Sequence, residues 1–427
     1  MEAAFGPATV RRTIGGSFSG RHNSLNLIRL VLATVVLVDH SVGLGGVVLW
    51  NFNQTSIGTI AVAGFFGISG FLIAGSAVRN GPWRYLWQRF LRIFPGLWVC
   101  LVVTAFVIGV IAYLHHPIAH CGLRCYFGAR HGPFRYVYRN ALLPSAKLHQ
   151  FSIAGTPRDV PLPLQWDGSL WTLFYEFLCY LGLMALGLLG FLRRRVVTLA
   201  AFVVLWGAIF VITLHHSFDL SFNIVTHPLL MNLMKFAAVF MMGAVIYLYR
   251  EVVPDSGWLA LACATIFIVG LWLPDGVTSA GVRNPLFWFT ASGLFTPLIA
   301  YPLLWLGIHL PFQKVGARND YSYGVYIYSY PVAQLLAVFG LQRWGIGVFV
   351  ALSVVATAPL AVLSWWLVER HALRLKRVAL PGTRRPPASH PQDVYGPEAL
   401  DVDSTPVAVV EGPRPVHPTV VPGAVEA

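Results

Sequence analysis

Ten stretches of this 427-residue chain stay apolar for about as long as a bilayer is thick: about 26–48, 57–78, 93–114, 168–190, 196–214, 228–249, 257–273, 286–308, 321–340 and 346–368. A helix needs about twenty apolar residues to cross the ~30 Å hydrocarbon layer, and in lipid only helices or closed barrels satisfy their own backbone. The runs are whole helices rather than short alternating segments, which excludes a barrel. The expected fold is all-α, a polytopic membrane protein of about ten transmembrane helices. Charged residues make up only 11% of the chain and mean hydropathy is +0.65, against about a quarter charged in soluble domains.

An even number of spans leaves both termini on one side, and the basic residues select the cytoplasm. On that assignment twenty Lys and Arg fall in inner segments and eight in outer loops, six of the eight in one long loop. The same distribution explains the net charge of +13 without nucleic acid. The expected organisation is a cytoplasmic N-terminal segment at 1–25, a transmembrane domain at 26–370 with a long outer loop at about 115–167, and a basic juxtamembrane segment with a disordered cytoplasmic tail at 371–427. The setting is the inner (cytoplasmic) membrane. The long loop reads equally well as a ligand-binding element or a structured connector. Its His116, His120, Cys121, Cys125 and His131 show no clean zinc spacing, so no metal is expected. Cys121 and Cys125 have the option of a local disulfide.

The first span carries Arg29, Asp39 and His40. Charges in a lipid-spanning helix cost several kcal/mol unless they face protein or a wet cavity, so they point to function. Arg29 and His40 are about 16 Å apart along the helix and within about 20° of one face, whereas Asp39 points about 100° away from His40. Between spans two and three, Arg84, Arg89 and Arg92 alternate with Trp83, Tyr85 and Trp87 in a segment expected to be an inner loop. Interfacial anchoring and a grip on phosphate both fit it. Glu176 lies inside span four and needs a partner there, for which Lys235 and Arg29 are candidates. Asp167 or Ser169 is placed to cap that helix. The glycines of GFFGISGFLIAG suit close helix packing, and the hydroxyls of YSYGVYIYSYPV in span nine suit a polar cavity.

Seven motifs in register, NLIRLVLATVVLVDH, GFFGISGFLI, RFLRIFP, SLWTLFYEFLCYL, KFAAVFMMG, SYGVYIYSYPV and WWLVER, spread over positions 26–370. In this order they resemble the membrane-bound acyltransferase family 3, whose members O-acylate sugars and other hydroxyl acceptors. The resemblance implies a ten-helix fold, acetyl-CoA as donor, a glycan or glycolipid acceptor, and a bilayer as the medium. It further implies that Arg29 and His40 are essential, with Arg89, Arg92 and Glu176 as further motif positions. Asn26 and Ser329 depart from the Asp and His that relatives often carry there. Many relatives also carry a soluble esterase-like domain after the last span, where this chain has its tail.

The expected chemistry makes His40 a general base for the acceptor hydroxyl, because imidazole titrates near neutrality. Arg29 orients the thioester arm, Arg84, Arg89 and Arg92 hold the nucleotide end of CoA, and Glu176 orients His40 or stabilises its protonated form. A polytopic transporter or flippase is the rival class. It calls for inverted repeats and broken helices, which the sequence does not display.

Overall fold

In the computed structural model, residues 12–20, 22–47, 56–115, 122–143, 148–217, 228–271 and 294–377 are described. Every regular element among them is helical. The main helices are α1 (Leu25–Leu44), α2 (Ile57–Arg79), α3 (Pro82–Val103, continued by a π-turn at Thr104–Ile108 and by Gly109–His115), α4 (Trp171–Leu188), α5 (Arg195–Ser217), α6 (Pro228–Leu248), α7 (Gly257–Leu271), α8 (Ala300–His309), α9 (Ser322–Val338) and α10 (Ile346–Ser364, continued by a π-turn at Trp365–Glu369 and by Arg370–Arg374). Seven of them are long and apolar enough to cross a membrane; α7, α8 and α9 are shorter. Large apolar side chains stay exposed along α5, α7 and α10, among them Val204, Ile266, Val355 and Leu367. Apolar patches of that size on a folded chain mark contact with something other than water, here lipid.

The arginine segment expected as an inner loop is helical. α3 opens with Pro82 at its first turn, where a missing N–H costs nothing, and only Asn80 and Gly81 separate it from α2. The apolar positions that recur from Tyr85 through Leu91 to Phe94 carry the helical period straight through Arg84, Arg89 and Arg92. The resulting rod, Pro82–His115, has 34 residues and is about 51 Å long, more than one hydrocarbon thickness.

Small residues set the tightest contact. A Cβ on Gly70 of α2 would lie 1.9 Å from the Phe240 carbonyl oxygen of α6, and one on Gly243 would lie 2.0 Å from the Gly67 carbonyl oxygen. α2 and α6 run parallel, with Phe66 stacked on Phe236 and Tyr247 against Gly75. Such backbone-to-backbone approach drives association where lipid removes the hydrophobic incentive. α3 and α9 are also parallel: Tyr323 donates to the Ile93 carbonyl at 2.6 Å, Cys100 to the Ile327 carbonyl at 3.4 Å, and His115 meets Phe339.

Cys100 and Cys179 are buried free thiols and Cys263 is a half-buried one, while Cys125 is disulfide-bonded. Cys121, His116 and His120, the start of span eight at 286–293 and the tail from 378 lie outside the described residues.

Candidate active site

α1 carries two separate chemistries. Near its start, Arg29 Nη1 donates to Asp320 Oδ2 at 2.8 Å, and Arg92 Nη2 from α3 reaches the same oxygen at 2.6 Å. Arg92 Nη1 also lies 3.5 Å from Glu369 in the π-turn of α10. The Arg92 guanidinium sits 5.5 Å from the centroid of the Tyr323 ring. Asp320 precedes α9, and its other oxygen accepts from the Ser322 amide at 3.2 Å and hydroxyl at 2.5 Å. Burial acts to raise its pKa, but Arg29 and Arg92, helped by Ser322, hold it well below the usual carboxylate range. Four helices are thereby tied at one charged node.

Arg89, one turn before Arg92, is only 5% exposed and lies between the rings of Tyr85 and Tyr180, with centroids at 6.0 and 5.8 Å. Glu176, one turn from Tyr180 on α4, accepts from the Tyr180 hydroxyl and from Ser69 of α2 at 3.5 Å, and is in electrostatic range of Arg89. Lys376, just beyond α10, senses the charges of Arg89, Arg92, Asp320 and Arg29. Arg84 is half-buried in the first turn of α3, with its Nε unpartnered.

His40 is near the opposite end of α1. It is half-buried, its Nδ1 is shielded without a hydrogen-bond partner, and the Tyr330 ring meets it edge-on at 5.2 Å. Its sequence neighbour Asp39 turns away to the start of α2, where it bonds Ser56 and the Gly58 amide. An acidic group there complements the helix dipole, so Asp39 does structural work.

The structure therefore unites Arg29 with Arg92 and places Arg89 beside Glu176. Glu176 takes its hydrogen bonds from Ser69 and Tyr180, while His40 stands at the far end of α1 against Tyr330. Arg89 is buried and Arg92 half-buried, rather than both lying in a surface loop. Two of the span-nine hydroxyls tie helices together, Tyr323 by donating to the Ile93 carbonyl and Tyr326 by donating to the Ser169 carbonyl at 2.8 Å beside Thr172, while Ser329 donates back to the Tyr326 carbonyl within α9. The cap expected from Asp167 or Ser169 is absent, since Leu170 occupies the N-cap without a side-chain bond. Both Asp167 oxygens and the Ser169 hydroxyl are buried and unpartnered, and Gly168 between them packs on the Tyr330 ring.

Sequence reasoning missed Asp320, Glu369 and Lys376. Acidic residues number only 17 in the chain, and two of them stand at the ends of apolar runs facing the two Arg-bearing helices. That scarcity was the available signal. Asn26, the departure from the family pattern, donates to the Gly316 carbonyl at 2.9 Å and tethers the loop leading to Asp320.

A helical membrane domain that holds a cationic node at one end of a helix and, at the other, an imidazole with a shielded and unpartnered Nδ1 has the makings of a membrane-embedded enzyme. The chain belongs to the acyltransferase 3 family: the model of that acyltransferase domain matches residues 22–368. It is 31% identical over 367 residues to an O-acetyl transferase of Shigella phage Sf6, a match spanning 83% of this chain and 96% of the relative. It is 27% identical over 384 residues to nodulation protein 10 of Rhizobium leguminosarum bv. viciae, spanning 84% and 95% respectively. No solved structure matches.

Proposed function

We propose that this multi-pass acyltransferase moves an acyl group, acetyl in the first instance, from cytoplasmic acetyl-CoA to a hydroxyl of a glycan or glycolipid on the far side of the inner membrane. The observation that carries the reading is the division of α1 into a cationic end at Arg29 and an imidazole end at His40, about 16 Å apart along the helix. A ligand addressing both must be long and anionic at one end, as CoA is. Resemblance to a phage protein named O-acetyl transferase supports the acetyl group and the oxygen acceptor.

The topology that fits is ten passes with both termini in the cytoplasm, residues 26–370 forming the catalytic domain. The parallel pairing of α2 with α6 and of α3 with α9, helices separated by an even number of steps, agrees with strict alternation. The count of twenty basic residues against eight supports an inner position for the Arg29 end.

At that end Arg29, Arg89, Arg92 and Lys376 outnumber Asp320 and Glu369 and supply a cationic floor for CoA phosphates, with Arg84 at its rim. Guanidinium forks suit phosphate oxygens and are already oriented by Asp320. At the other end His40 takes the proton of the acceptor hydroxyl as its oxygen attacks the thioester carbonyl. The C–S bond then breaks, and the CoA thiolate recovers the proton from the imidazolium. With Nδ1 unpartnered, packing against Tyr330 orients the ring. Glu176, held by Ser69 and Tyr180, screens the Arg89 charge along the path.

Membranes carrying the protein, incubated with labelled acetyl-CoA and cell-envelope glycan, should place label in the glycan. His40→Ala and Arg29→Ala should abolish transfer while the protein still accumulates. Undiminished transfer by His40→Ala would overturn the assignment of the base, and absence of label in every acceptor extract would overturn the donor.

A further inference from the structure

The long loop between α3 and α4 is expected from sequence to stand outside the membrane, yet its described stretch 122–143 packs along the bilayer-crossing part of α3. Tyr126 is buried and donates to the Ala105 carbonyl at 2.6 Å. Phe134 meets Phe106 edge-on at 5.2 Å, and Phe127 stacks on the same ring at 6.2 Å. Farther back along α3, Trp98 donates its indole N–H to the Ala141 carbonyl at 2.9 Å. The loop helix Pro133–Asn140 therefore runs antiparallel to α3 from Phe106 to Trp98, a descent of about 12 Å. Both contact points lie within the apolar run 93–114.

One face of this helix is buried through Tyr136 and Asn140, the latter exchanging hydrogen bonds with the Gln150 backbone. On the opposite face Tyr138 is 65% exposed and Leu142, just past the helix, 78%, and Phe134 stays 64% exposed beyond its ring contacts with Phe106 and Phe127. Arg135 and Arg139 follow Phe134 and Tyr138 and flank that apolar face at about 100°. The apolar face continues onto the outward flank of α3, where Trp98, Val102 and Val107 are exposed. Several backbone carbonyls of this stretch find side-chain donors, Ala141 from Trp98, Arg130 from Arg135 and His131 from Gln150, which lowers the cost of holding non-spanning backbone in lipid.

We propose that residues 123–142 form a lipid-embedded ledge. Phe134, Tyr138 and Leu142 sink into the acyl chains, while Arg135 turns back to the Arg130 carbonyl at 3.2 Å. Continuity with the lipid-facing flank of α3 selects the bilayer as the occupant. An apolar face bordered by arginines is the pattern of a helix lying in the membrane interface.

The test uses the full-length protein in phosphatidylcholine–phosphatidylglycerol vesicles. A bimane fluorophore is attached at Tyr138→Cys or Leu142→Cys, with the signal of the unsubstituted chain subtracted. Val102→Cys on α3 and Arg158→Cys at an exposed loop site are the references. Lipids brominated in mid-chain should cost Tyr138→Cys and Leu142→Cys as much fluorescence as Val102→Cys and more than Arg158→Cys, while aqueous iodide should quench only Arg158→Cys. Iodide quenching of both ledge positions would overturn the proposal in favour of a solvated loop. Shielding of both from iodide and from brominated lipid would overturn it in favour of a second protein copy on this face.

Discussion

Arg29 and Arg92 meet on one atom. Both guanidinium groups bind Oδ2 of Asp320, at 2.8 and 2.6 Å, so two helices distant in sequence share a single buried acceptor. Two permanent cations held that close need the carboxylate between them, and the node is only as stable as that oxygen.

Replacing Asp320 should therefore be severe. Removing one partner of a buried ion pair costs about 3 to 5 kcal/mol because the other charge is left uncompensated. Asp320→Asn should lower the thermal midpoint of the purified protein and abolish acyl transfer. The folded-state pKa of Asp320 is depressed, so its contribution is present above the unfolded carboxylate pKa and fades only as pH falls through the depressed value. The deficit of Asp320→Asn should stay constant from neutral pH down to about pH 5; a deficit that vanishes within that window would contradict the node.

Asp167 should behave in the opposite sense. Burial without a hydrogen-bond partner pushes its pKa up to about 8. A carboxyl raised in the folded state contributes stability below its unfolded pKa of about 4 and loses it as pH climbs through the folded value. Thermal scans of the wild type should show a midpoint that declines between about pH 5 and 8, and Asp167→Asn should flatten that decline.

His40 and Tyr330 should separate chemistry from positioning. Tyr330→Leu keeps an apolar wall but removes the edge-on ring that orients the imidazole. It should lower kcat while leaving KM for acetyl-CoA unchanged, because the cations proposed to hold the donor sit about 16 Å along α1. His40→Ala should remove transfer altogether. Equal loss of donor affinity in both variants would place His40 in donor binding instead.

Gly70→Ala tests the α2–α6 seam. The new Cβ would fall 1.9 Å from a carbonyl oxygen, so the backbones must part. Overpacking of this kind costs about 1 to 3 kcal/mol, and a lower thermal midpoint in detergent is the readout. Gly182→Ala on α4, where a Cβ meets nothing within 4 Å, should be close to neutral.

The apolar run from Asn26 to Val48 was enough to show a spanning helix with Arg29 and His40 on one face, since period and transfer energy are properties of a single segment. Asp320 and Glu369 did not announce their roles. Each stands at the end of another run, and nothing local says which arginine it will face. Glu176 illustrates the same limit: sequence suggested Lys235 or Arg29 as its partner, whereas folding supplied Ser69 and Tyr180. The loop helix Pro133–Asn140 has only 8 residues and two arginines, so nothing in its pattern announced that it would pack on α3.

Sequence by itself determined the class of molecule, an all-helical chain with apolar helices long enough to cross a membrane, and the placing of Arg29 and His40 on the first of them. Those follow from burying twenty contiguous residues at a time. The partners of Arg29, Arg92 and Glu176, the contact of His40 with Tyr330, and the packing of the long loop on α3 were decided by tertiary structure. Charge pairing and ring contacts act over a few ångströms between residues hundreds of positions apart, and only packing brings such residues within range.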